Sequence, residues 1–248
     1  MGEPRHSDPG HEAFWRTIEQ SPLFSIYISE LYWLAANVVR VAERVFEATA
    51  VGEDDGTDFI KVDAELHGQL CLILGDAAKI RALIGERPKR RNQSAVAYGV
   101  QALRAKALRQ LLAGVHLEAT LSADVRHSLE HFDERLDATA VRVLEGAAPL
   151  PLNVPFNMVV SRRRGLLVLR GTSLLKPKLF LLRVYIADER MFVNAGEEVD
   201  IGAIYAECAA IRDRLAPRVA EERDDSRGAY VLVLTEESFA REEPEPAE

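Results

Sequence analysis

The chain is short of the residues that usually announce chemistry or location. Cys71 and Cys208 are its two cysteines in 248 residues, and each lies on or beside an apolar helical stripe, so buried free thiols are expected rather than a disulfide or a metal pair. No apolar run reaches the about 18 residues of a membrane-spanning helix, and the N-terminus lacks the basic-then-apolar pattern of a secretory signal. A cytoplasmic protein without membrane contact is expected. Positive charge is in deficit: 31 Lys and Arg against 39 Asp and Glu give a net charge of −8, which argues against a generic nucleic-acid coat but leaves room for a local basic patch. The phosphate-binding G-x-x-x-x-G-K-[ST] loop, a strand-linked G-x-G-x-x-G, the G-x-S-x-G elbow and a Cys-x-x-Cys pair are all missing, so the usual nucleotide-binding, hydrolase and zinc-ribbon readings lack support and no cofactor is expected.

What is present is enough apolar residue, 48%, to bury a core in one large domain or two smaller ones. Residues 1–20 read as a loosely tied arm. Ser21 and Pro22 then open a helix that runs to about residue 48 through Leu31, Leu34, Val38, Ala42 and Val45. A second helix carries Leu66, Leu70, Ile73, Ala77, Ile80 and Ile84 until Gly85 and Pro88 stop it, with His67 beside the stripe as a packed or surface histidine. Ser94 caps a third, through Val96, Val100, Leu103, Ala107 and Leu111 to Gly114, and Ser122 caps a fourth that ends near Gly146. Four helices with short connections predict an antiparallel bundle over residues 21–147.

From Ala147 the texture changes, because Pro149, Pro151 and Pro155 break the helical pattern and β-type runs follow at 157–161, 166–170, 179–187 and 191–193. These predict two hairpins, turning at 162–165 and at 188–190. Asp200 then caps an amphipathic helix with Ile201, Ile204, Cys208, Ile211 and Leu215 inside, and 230–234 adds one more strand. Residues 148–235 thus form a small module, an antiparallel sheet with one helix, and 236–248 an acidic disordered tail. The expected fold class is α+β and mainly α.

Residues 124–137 concentrate the chemistry: two histidines, arginines and a run of carboxylates in about four helical turns. Val125, Leu129, Phe132, Leu136 and Val143 fall on one stripe, which leaves Arg126, His127, Glu130, His131 and Glu134 off the buried face. The phrase Arg126-His127-Ser128-Leu129-Glu130-His131-Phe132-Asp133-Glu134-Arg135 resembles the motif helix of HEPN-type proteins, helical bundles with an R-x4-6-H motif on a late helix, many of them metal-independent endoribonucleases of toxin and phage-defence systems. The resemblance covers residues 24–145 and implies that Arg126 neutralises a phosphate while His131 moves or positions the proton of a ribose 2′-hydroxyl, supported by His127, Glu130 and Glu134. Both side chains suit those roles. Residues five apart lie roughly 140° apart on a helix, so a second copy across a two-fold axis would bring the pair together, and the resemblance implies a homodimer with a composite site.

Two other readings use the same residues. The polar face can be a solvated surface laced with Arg126/Glu130 and His131/Arg135 pairs at i,i+4, which makes the chain a non-catalytic interaction or regulatory protein on a helical scaffold. His127-Ser128-Leu129-Glu130-His131 also spells the H-x-x-E-H zinc signature, with Glu207 as a distant third ligand, in which case the chain would be a zinc peptidase. Candidate RNA contacts lie at Lys89, Arg90 and Arg91, in a basic loop continued by Arg104, Lys106 and Arg109, and at Arg162, Arg163 and Arg164 on a hairpin tip. The C-terminal module can dock on a protein partner or complete the dimer.

Overall fold

The structure is a computed structural model that describes residues 22–51, 59–122, 132–145, 155–166, 181–194 and 197–221. In chain order the described elements are helix α1 (Pro22–Ala48), strand β1 (Ile60–Val62), helices α2 (Ala64–Ile84), α3 (Ala95–Leu111), α4 (Glu118–Leu121) and α5 (Phe132–Leu144), strands β2 (Phe156–Val160), β3 (Leu182–Ile186), β4 (Met191–Asn194) and β5 (Glu197–Asp200), and helix α6 (Ile201–Glu221). The expected arm, the strand at 230–234 and the acidic tail lie outside the described residues. No described helix is long and apolar enough to cross a membrane.

Helix starts follow local chemistry. Asp63 accepts a hydrogen bond from the Leu66 amide at 2.9 Å through Oδ1 and opens α2, Ser94 accepts from the Ala97 amide at 3.1 Å and opens α3, and Asp200 accepts from the Ala203 amide at 2.8 Å and opens α6. A Cβ on Gly85 would collide with the Arg81 carbonyl oxygen, so glycine is required where the chain turns out of α2.

Helix packing differs from the expected bundle. α1 buries Leu31, Ala35, Val38, Ala42 and Val45 completely and packs on both α2 and α6, while α3 and α4 lie against α2. α5 makes no comparable contact among the described residues, and the second neighbour of α1 is the C-terminal helix α6. Ile201, Ile204, Cys208, Ile211 and Leu215 all reach 0% exposure, as their spacing requires. Between α1 and α2 the buried Asp76 is fully satisfied: Asn37 donates to Oδ2 at 2.6 Å and Lys79 to Oδ1 at 2.8 Å.

The sheet is mixed rather than antiparallel. Its order is β1-β2-β3-β4-β5, with β2 and β3 parallel and the other neighbours antiparallel. The hairpin turning at 188–190 forms as β3–β4. The hairpin turning at 162–165 does not, because β2 has β1 on one edge and β3 on the other, and Gly165 and Leu166 are helical. β1 comes from the segment expected to be all helical, and one core joins α1, α2 and α3 to strands and helix from beyond residue 148. Register aligns Val159, Tyr185, Phe192 and Val199 as a row across four strands, and this row faces the helices. Val160, Val184, Ile186 and Val193 alternate to the other face and pack with Leu166. Strands buried on both faces carry apolar runs, which hides their period.

Two arginines of α3 tie it to the end of α2. Arg104 donates to the Leu83 carbonyl at 3.2 Å and the Ala82 carbonyl at 3.0 Å, and Arg109 donates to the Ile84 carbonyl at 2.7 Å and to Glu86 at 2.7 Å. These carbonyls have no partner within the helix, and cations favour that end of its dipole. Arg104→Ala and Arg109→Ala should each lower unfolding free energy by about 1–2 kcal/mol in urea titrations, whereas Lys106→Ala on the same helix should change it by less than about 0.5 kcal/mol.

Candidate functional site

Arg126, His127, Glu130 and His131 lie outside the described residues, so the structure places only Glu134 of the motif, exposed in the first turn of α5. Ser122, four residues before Arg126, closes α4 and lines a cavity of about 580 Å³ with His116, Glu118 and the alanines of α6.

Glu207, nominated as a distant zinc ligand, is committed elsewhere. It is buried, and its Oε1 and Oε2 accept the Ala119 and Thr120 amides at 2.9 and 2.7 Å. One carboxylate thus satisfies the orphan donors at the start of α4, which has no side-chain cap of its own. No group of three or more His, Cys, Asp or Glu side chains fit to hold a metal occurs among the described residues.

The two basic candidates separate. Lys89, Arg90 and Arg91 are exposed, and their side chains form no ion pair among the described residues. Their loop continues from the wall of a cavity of about 530 Å³ lined by Arg87, Tyr98, Gln101 and Lys106. Arg163 has its charge spent. Its guanidinium holds Glu189 through bonds of 2.9 and 2.7 Å and Glu198 at 2.9 Å, which raises its own pKa and lowers that of Glu198. Arg163 is therefore a brace between the 162–165 turn and the β-hairpin, while Arg162 turns into a cavity and Arg164 remains on the surface.

The sequence reading missed a polar cluster at one end of the sheet. Asn157 and Arg183 occupy matched positions on β2 and β3 with φ of 50° and 57°, a left-handed conformation that costs about 1–2 kcal/mol for a residue with a Cβ. His67, 2% exposed, stands over them from α2 and bonds the Met158 carbonyl oxygen at 3.1 Å through Nε2. A carbonyl only accepts, so Nε2 carries the proton, and the lone pair of the neutral ring sits on Nδ1 without a donor. Asn157 Oδ1 is likewise buried without a partner. A neutral imidazole with a bare Nδ1 beside strained backbone can accept a proton or a hydrogen bond from a bound donor. The sequence signal was slight: Arg183 is a lone charge in an apolar strand, and His67 follows the Asp63 cap by four residues.

No protein-family model, curated protein or solved structure matches the chain.

Burial is the largest cause of the lowered His67 pKa, so the folded protein prefers the neutral ring more than the unfolded chain does. Stability is complete above the unfolded value of 6.5 and falls below it, as the unfolded chain takes up a proton that the fold resists. Denaturant titrations between pH 7.5 and 5, a range set about the ordinary histidine pKa of about 6.5, should show this loss, and His67→Leu should remove that part of the pH dependence. An unchanged slope in His67→Leu would show that the ring is not the titrating group.

Proposed function

We propose that the protein binds single-stranded RNA through the loop 86–91 and that Arg126 and His131 cleave it without a metal. The observation that carries the binding half is the exposed, uncompensated trio Lys89, Arg90 and Arg91 beside a cavity lined by Arg87 and Lys106. In a chain of net charge −8, so dense a group of unneutralised cations is suited to successive phosphates. Tyr98 supplies an aromatic face for a base and Gln101 an amide, the combination that single-stranded RNA sites use.

The cleavage half rests on side-chain chemistry alone. The guanidinium of Arg126 offers a fork of donors to the phosphate, and the His131 imidazole titrates near neutral pH and can take the 2′-hydroxyl proton. Attack of that oxygen on the adjacent phosphorus, with loss of the 5′-oxygen, leaves a 2′,3′-cyclic phosphate and needs no metal. The packing of α1 on α6 gives the HEPN-like bundle no support, so the resemblance contributes only the residue pattern.

Fluorescence anisotropy with a labelled unstructured RNA tests binding. Native protein should bind with a steep salt dependence, and the triple variant Lys89→Glu/Arg90→Glu/Arg91→Glu should lose at least about tenfold in affinity with a shallower salt slope. Incubation with mixed RNA and EDTA tests cleavage: cyclic-phosphate ends from the native chain and none from His131→Ala support the nuclease, and intact RNA with both leaves a non-catalytic RNA-binding protein. Binding unchanged by the triple charge reversal would overturn the proposed interface.

A further inference from the structure

The chain leaving α2 at Gly85–Pro88 and helix α3 enclose the cavity of about 530 Å³ that adjoins the loop 86–91. Its α3 wall is built from Tyr98, Ala102 and Lys106, spaced i,i+4 on one face, with Gln101 beside them. We propose that this cavity takes a guanine base stacked on the Tyr98 ring, with Glu86 accepting from N1–H and the N2 amine and with Gln101 and Lys106 donating to O6 and N7. The proposal rests on the RNA reading and adds which nucleotide that interface selects.

Gln101 carries the argument, because its amide is fixed in one sense. The Arg90 backbone N–H can only donate, and it lies 3.2 Å from Gln93 Oε1, so the oxygen of the Gln93 carboxamide faces the loop. The turn between the two is closed by the Gln93 amide on the Arg90 carbonyl at 3.1 Å. The Gln93 side-chain nitrogen therefore points to Gln101 and donates to its Oε1 at 3.0 Å. Turning either carboxamide over would set N–H against N–H. What remains is Gln101 Nε2, a donor with no hydrogen bond among the described residues.

Glu86 is the acceptor. Arg109 donates to its Oε1 at 2.7 Å and is itself held on the Ile84 carbonyl, so the carboxylate is anchored while Oε2 keeps its lone pairs. Lys106 is exposed and forms no ion pair among the described residues. Arg87 already has a partner within the protein and is not counted. Pro88 has no N–H and Gly85 spends its own on the Arg81 carbonyl, so neither adds a backbone donor. Tyr98 is half-buried, and no aromatic or cationic partner among the described residues covers its ring.

The order of donors and acceptors selects the base. Guanine presents two neighbouring donors, N1–H and the N2 amine, which match a carboxylate, and two neighbouring acceptors, O6 and N7, which match an amide and an ammonium. Adenine and cytosine set an amine beside a ring-nitrogen lone pair, which a carboxylate repels, and uracil flanks its single N–H with two carbonyl oxygens. Guanine is neutral, so the site needs no unpaired arginine and leaves the Glu86–Arg109 pair intact. Stacking on the tyrosine adds affinity that any base would share, which leaves selection to the polar groups.

Fluorescence anisotropy of the full chain with four labelled oligonucleotides tests the proposal: a uridine tract, and the same tract with one central guanosine, adenosine or cytidine. The guanosine tract should bind about tenfold tighter than the other three, and inosine in its place, which lacks the N2 amine, should give back part of that gain. Gln101→Met, of equal length without a donor, and Glu86→Gln should each bring the ratio of guanosine to uridine affinities towards one. Lys89→Glu/Arg90→Glu/Arg91→Glu keeps the Arg90 backbone N–H, so it should weaken all four tracts and leave that ratio unchanged. A merely structural role for Gln101 would lower the melting temperature without moving the ratio. Equal affinity for the four tracts, preference for another base, or a ratio retained in both Gln101→Met and Glu86→Gln would overturn the guanine assignment and leave the RNA reading standing. Failure to bind any tract would overturn the RNA reading itself. In that case saturable binding of guanosine 5′-monophosphate in isothermal titration, lost in Gln101→Met, keeps the cavity assignment, and its absence overturns it.

Discussion

The fold depends on the burial of α1 between α2 and α6. Besides the stripe Leu31, Val38, Ala42 and Val45, α1 buries Val39 and Val41 on its two flanks, and a buried face that broad leaves water by taking neighbours on two sides. Each large side chain so buried contributes about 1.5–3 kcal/mol. Because the second neighbour comes from the far end of the described chain, this contact draws the sheet up against the helices, where the row Val159, Tyr185, Phe192 and Val199 receives it. A cavity at the end of α1 follows from the same placement, since Phe46 and Thr49 come to lie against the 187–190 turn.

Charge in this chain divides into groups that hold the fold and groups that remain available. Arg104 and Arg109 close the open carbonyls of α2, Asp76 joins α1 to α2, Glu207 caps α4, and Arg163 braces two turns with Glu189 and Glu198. Among the described residues, Lys89, Arg90 and Arg91 form no ion pair, and Arg190 lies over the Phe46 ring. Net charge does not distinguish these groups. The neighbours Arg162 and Arg163 are alike as letters, yet one faces a cavity and the other is neutralised by two carboxylates.

Much of the local structure was legible. Periodic apolar spacing identified α1, α2, α3 and α6 and the buried faces of α1, α2 and α6, because a helix closes its hydrogen bonds within its own segment, whereas on α3 the expected Val96 is 73% exposed and Ala105 and Leu108 are buried beside Ala107. The β3–β4 hairpin was legible for the same reason, its partner being only a turn away. β1 was not: Ile60, Lys61 and Val62 are too few to show a period, and their hydrogen bonds go to a strand about a hundred residues on. The parallel pairing of β2 with β3 was hidden by double burial, which replaces alternation with a continuous apolar run. The motif phrase at 124–137 concentrated the reading on one segment, while His67, Asn157 and Arg183 drew little notice, since a lone histidine on an apolar stripe is most often a packed one.

The sequence by itself determined α1, α2, α3 and α6, the caps at Ser94 and Asp200, and the buried sides of α1, α2 and α6, because those depend on residues within one or two turns of each other. Only the tertiary structure decided that α6 lies beside α1, that the sheet is mixed, and that Arg163 is held by two carboxylates. Those outcomes depend on which partner reaches a side chain first among groups distant in the chain. That competition is settled by packing, and apolar periodicity and charge count carry no record of it.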